Sequence, residues 1–143
     1  MARFIIGIDP GTHTGVAVWD TKMRRFLSIS TRTATDARDF IARNFSPEET
    51  AIIFEDARQR KWLPREKNLS EYRGRLMGAG SIKRDCEMWV EFCDFYHYAY
   101  TAIPPRKGMT KWTDEQFIKI TGWTTRTSEH ARDAALLVWG RTM

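Results

Sequence analysis

Four side chains far apart in the sequence, Asp9, Glu55, His130 and Asp133, have the types and settings for phosphodiester chemistry. Asp9 closes the apolar run RFIIGID, residues 3 to 9, and leads into the Pro10-Gly11 turn. Glu55 closes a second apolar run, AIIFE, residues 51 to 55. Asp133 falls in the first turns of a helix that opens at Ser128, and His130 lies three residues before it on the same helical face. An acid at the end of a buried strand is costly unless it is paired, protonated or bound to a cation. Three carboxylates held together repel one another and raise their pKa values unless cations intervene, and oxygen ligands suit Mg²⁺ or Mn²⁺. Two such ions on one phosphate would activate a water and stabilise the leaving 3′ oxygen in an in-line displacement. His130 suits either a metal or the proton of the attacking water. Glu129 competes with it to complete the site, although a first-turn acid also serves the helix dipole. His13, after Asp9, reads as an exposed loop residue. Asp56 should point to the opposite side of its strand from Glu55, toward solvent or an arginine.

The acids need strands and a helix to bring them together. Arg3 to Asp9 does not alternate and predicts a strand buried on both faces. Thr14 to Asp20 and Phe26 to Thr31 predict two more strands, and the short connections imply a three-strand antiparallel meander. Residues 33 to 45 predict a helix with Thr35 as N-cap, and residues 51 to 55 a fourth strand. If strands one and four are parallel neighbours, Asp9 and Glu55 leave the sheet at the same edge. A long helix is expected from about Ser70 to Tyr96. Along it Ala79, Ile82, Cys86, Trp89 and Cys93 recur at alternating spacings of three and four, which fits a coiled-coil seam with a second copy. One wide stripe buried within a monomer fits equally well. Tyr98 to Ile103 predicts a fifth strand, Thr113 to Ile120 a short helix capped by Thr113, and Ser128 caps the last helix. The class is α/β.

The chain of 143 residues is 42% hydrophobic and predicts a single domain over residues 1–143. No run approaches the ~18 apolar residues of a membrane span, so no membrane partner is expected. A strand starting by Phe4 leaves no room for a secretory leader. Cys86 and Cys93 lie seven apart on the long helix, roughly 10 Å by the helical rise, too far for a disulfide. They read as reduced thiols, and the expected location is the cytoplasm. The net charge of +5 suits a nucleic-acid partner. Seven Lys or Arg against two Glu lie between Arg58 and Arg75, and a second basic loop carries Arg106, Lys107 and Lys111. Both segments flank the proposed acids, as a phosphate backbone crossing an acidic pocket would require. Arg58, Arg60, Lys61, Trp62, Arg65, Lys67, Arg73, Arg106, Lys107 and Lys111 are therefore the candidate DNA contacts, Trp62 as a stacking surface.

GIDPGTHTGVAVWD, FEDA and HARDAALLVWG together resemble the RuvC-like Holliday junction resolvases of the ribonuclease H superfamily, and the small size is similar to phage or prophage members. Those enzymes present Asp-Pro-Gly after the first strand, a Glu ending the fourth, and an acid or His three residues before a final Asp. The resemblance implies a ribonuclease H-like fold: a central five-stranded mixed sheet, its first three strands antiparallel, flanked by helices, with the long helix after strand four. It implies a Mg²⁺-dependent crossover junction endonuclease, with Mn²⁺ an alternative and two ions per site, held by Asp9, Glu55, His130 and Asp133. The product ends would be 5′-phosphate and 3′-hydroxyl, from paired nicks in four-way or other branched DNA by a homodimer joined through the long helix. Many members carry an aromatic wedge three positions after the Glu, where this chain has Arg58; Trp62 is the candidate replacement. Lys107 and Lys111 are the candidates for the family's phosphate-holding lysines. The rivals are a RuvC-like nuclease acting on structured ribosomal-RNA precursors and a junction-binding protein without catalysis. An actin-like phosphotransferase would need two such domains.

Overall fold

The computed structural model describes residues 2–59, 69–105 and 111–142, without the side chains of 69–79 and 82. Among the proposed DNA contacts, Arg60, Lys61, Trp62, Arg65, Lys67, Arg106 and Lys107 lie outside the described residues. The side chains of Arg73, Ala79 and Ile82 do so too.

Strand β1 (Phe4–Asp9) is apolar from Phe4 to Ile8 because it sits at the middle of the sheet and is covered on both faces. β2 (Thr14–Asp20) and β3 (Arg25–Arg32) fold back beside it as an antiparallel meander. On its other side β1 pairs in parallel with β4 (Thr50–Glu55), which pairs in parallel with β5 (Ala99–Ile103). The order is β3-β2-β1-β4-β5, an α/β fold with one mixed sheet of five strands. Helix α1 (Ala34–Asn44) links β3 to β4; its N-cap is Thr33, whose hydroxyl accepts from Asp36 N, and not the expected Thr35, which falls inside the first turn. Helix α2 (Leu69–Tyr96) links β4 to β5 and, at 28 residues, spans about 42 Å. Helices α3 (Asp114–Thr121) and α4 (Glu129–Val138) follow. Thr113 caps α3 through a reciprocal capping box with Gln116, and Gly122 ends it in the left-handed conformation at φ 76°.

The pleat of β1 divides the core. Ile6 and Ile8 face one side with Val16, Val18, Ile52 and Phe54, where α1 contributes Ala37 and Ile41 and α2 contributes Cys86, Trp89, Phe92 and Cys93. Ile5 faces the other with Ala17, Trp19, Ile53 and Phe117, beneath Ala134, Ala135 and Val138 of α4. This corrects the proposed seam at its described positions. Cys86 and Cys93 are wholly buried and Trp89 is 2% exposed, all packed on the chain's own sheet. Side chains enclosed in this way have no surface left for a partner, so Cys86, Trp89 and Cys93 are core and not dimer interface. The thiols are unpaired, and burial pushes Cys86 up to about 11 and Cys93 up to about 12, which leaves both unreactive at neutral pH. No helix among the described residues is long and apolar enough to cross a membrane.

Candidate active site

The β1–β4 register ends at Ile8 opposite Phe54, and Asp9 and Glu55 are each the next residue, at the same end of the two parallel strands. In a parallel pair, residues in register share a face. Ile5, Gly7 and Asp9 on β1 and Ala51, Ile53 and Glu55 on β4 therefore look toward α4. Asp56, one residue further, turns to the α2 side. The two acids lie at one edge and on one face, as the sequence predicts for parallel neighbours.

Two glycines bring α4 down onto that edge. A Cβ on Gly7 would stand 2.2 Å from the backbone oxygen of Ala134, and one on Gly15 would stand 2.0 Å from that of His130. No side chain fits at either position, so the helix backbone rests directly on β1 and β2. Gly15 pairs with Asp9 across the β1–β2 ladder, which fixes the first turn of α4 above Asp9. Ser128 caps the helix by accepting from Ala131 N, and its hydroxyl also meets Thr31 of β3. Arg132 ties the preceding loop down, donating to the carbonyls of Trp112 at 3.1 Å and Thr127 at 2.5 Å.

The result is a compact polar cluster. His130 Nδ1 lies 3.0 Å from Asp9 Oδ2. Asp133 Oδ2 accepts from Lys111 Nζ at 3.3 Å, and the same ammonium is paired with Glu129. The ring of His13 lies 6.3 Å from that of His130 at an interplanar angle of 30°, so this loop residue, exposed as expected, also borders the site. Burial, the largest influence, and the negative charge of Asp133 raise the Asp9 carboxyl above its ordinary value, against the pull of His130 and Lys111. The hydrogen bond from Lys111 holds Glu129 below the ordinary range, and the same bond raises the lysine. Glu129 is thereby engaged with a cation in the cluster, while His130 is hydrogen-bonded to Asp9. Among the described residues, no three His, Cys, Asp or Glu side chains are grouped closely enough to hold an ion.

Lys111 was expected in a basic loop flanking the acids; the structure places its ammonium on them. Arg58, another expected DNA contact, is gripped by Asp56 through two bonds, Nε to Oδ1 at 2.8 Å and Nη2 to Oδ2 at 2.7 Å. Asp56 itself is 3% exposed, so of its two expected partners the arginine holds and solvent does not. Gly7 and Gly15 were missed as positioning residues. Their signal was present in the sequence, since an isolated glycine inside an apolar strand marks a close backbone approach. A scan against protein-family models found no match to the chain, and a search of curated proteins found none either.

Proposed function

We propose that the chain is a metal-dependent, structure-selective DNA endonuclease of the RuvC-like kind, with a ribonuclease H-like fold, acting on four-way or other branched DNA. The observation that carries this reading is the placing of Asp9 and Glu55 at the same end of a parallel strand pair, with α4 seated over Asp9 by Gly7 and Gly15. Strand ends hold two acids, and the helix delivers His130 and Asp133 to the same edge.

The donor chemistry fits hard divalent cations. Asp9, Glu55 and Asp133 offer carboxylate oxygens and His130 one imidazole, the set that suits Mg²⁺ or Mn²⁺. A metal bound there supplies Lewis-acid activation of the attacking water and charge stabilisation at the leaving oxygen. For Asp133 to bind a cation, Lys111 must leave it. That pair is partly exposed, at 61% for the lysine and 28% for the carboxylate, and solvent-screened pairs cost little to open. Once released, Lys111 is a positive charge beside the acids that suits a phosphate oxygen. His130 holds Asp9 oriented through its Nδ1.

Two opposed nicks require two sites, and hence two copies of the chain. The test is a cleavage assay on synthetic four-way, three-way, Y-shaped and linear DNA, with and without Mg²⁺. Symmetric nicks in the four-way substrate, ending in 5′-phosphate and 3′-hydroxyl and abolished by chelation, are expected. Cleavage of structured RNA in preference to every DNA would replace this reading with RNA processing. Binding without cleavage in either metal would leave a junction-binding protein.

A further inference from the structure

Asp56 is a carboxylate buried at the site's own edge, and its purpose is not the sheet. Its backbone N–H donates to Ile103 O at 2.7 Å, which already closes the end of the β4–β5 ladder. Its side chain does something else: it accepts from Arg58 N at 3.0 Å, Arg58 Nε at 2.8 Å and Arg58 Nη2 at 2.7 Å. The short 3-10 turn at Ala57–Gln59 is pinned as well, with Gln59 Nε2 donating to Ala102 O at 3.1 Å. Burying an ion pair of this kind gains little stability over apolar packing of the same volume. What it does fix is the plane of one guanidinium, three residues after Glu55.

The carboxylate takes the Nε–Nη2 edge of that plane. A guanidinium has five N–H groups, so both hydrogens of Nη1 and one of Nη2 remain, and no hydrogen bond among the described residues uses them. The Asp56 side chain is 4% exposed and that of Arg58 is 33% exposed. The arginine therefore keeps part of its surface open to solvent, with Cys86 and Glu87 of α2 among its neighbours. A second parallel pair of N–H groups matches two oxygens of a phosphate.

We infer that Arg58 binds a backbone phosphate of the DNA on the α2 side of the sheet edge that carries the acids, and that Asp56 is the positioning residue that presets it. The inference rests on the nuclease reading and names one contact of that same site. A guanidinium already fixed loses little rotamer freedom on binding, so its hydrogen bonds translate more fully into affinity. The Asp56 charge also stays out of the strand's way, because it is enclosed by the fold.

The test measures binding of a four-way DNA junction and of a linear duplex by gel shift without divalent metal, and cleavage with Mg²⁺. Arg58→Ala should weaken binding of both DNAs about tenfold, the order expected for a charged hydrogen bond. Asp56→Asn should weaken it to a similar degree, and the double variant no further, since both act through one contact. Because breaking a buried pair can unfold the chain, the neutral pair Asp56→Asn with Arg58→Gln keeps the packing without the guanidinium; it should also bind about tenfold more weakly. Arg58→Lys, which keeps the charge and loses the fork, should recover only part of the loss. Wild-type affinity in the folded neutral pair, or independent losses in the two single variants, would overturn the inference. If the wild type cuts and the Arg58 variants bind normally, only the Arg58 contact falls. If the wild type neither binds nor cuts any DNA, the nuclease reading falls, and this with it.

Discussion

Asp9 carries the two opposed demands of the site. Burial and Asp133 raise its carboxyl, so its ionised form is less favourable in the folded chain than in the unfolded one. That penalty is present above the ordinary value of 3.8 and disappears as the pH falls below it. On the proposed function Asp9→Asn should abolish cleavage while leaving junction binding intact, and in metal-free buffer at pH 7 it should raise Tm. An unchanged cleavage rate would remove Asp9 from the chemistry, and a lowered Tm would show its charge to be stabilising. Asp56 has the opposite sign. The Arg58 hydrogen bond, its largest influence, holds its carboxyl below 3.8. Its stabilisation is complete above that value and lost as the pH falls through its folded value. Acid unfolding should therefore separate wild type from the Asp56→Asn/Arg58→Gln pair: the wild type loses more stability between pH 5 and pH 2. Parallel urea midpoints across that range would refute the assignment.

At the scale of elements, the site depends on how closely α4 lies on β1 and β2. Gly15→Ala would force a methyl group into the His130 carbonyl, and since that obstacle is backbone, the helix must move. The expected cost is about 3 kcal/mol, read as a lowered urea midpoint, with cleavage lost even where the fold survives. A neutral Gly15→Ala would mean that α4 sits higher than described. The elements themselves were legible in the sequence: the five strands, the parallel β1–β4 arrangement as a condition, the caps at Thr113 and Ser128, and the acids at strand ends. Periodicity and capping chemistry are local, and local signals survive in a linear string. What was not legible depends on contacts between elements. The spacing of Cys86, Trp89 and Cys93 specifies one apolar stripe, and nothing in a stripe says whether it meets its own sheet or a second copy. Thr33 and Thr35 offer the same hydroxyl, and only the path of the chain out of β3 chooses between them. Lys111 reads as one more surface cation until α4 places Glu129 and Asp133 against it.

The whole molecule is positive, with a net charge of +5, while its site is acidic. On the proposed function, a phosphate backbone would be held by charge outside the site and cut by groups within it. If about six phosphates are contacted, the logarithm of the association constant should fall with the logarithm of salt at a slope of about −5. A slope near zero would mean that DNA is not held by its backbone. The arrangement across the sheet also has a temporal side. The strands bring only Asp9 and Glu55, and the other half of the cluster arrives on α4, after every strand has been made. A growing polypeptide that has not yet emerged as far as residue 129 can pair all five strands and still hold only two of the acids. On the proposed function, competence to cut would therefore be withheld until α4 has joined the closed sheet, and a half-made product would be harmless to the nucleic acid around it.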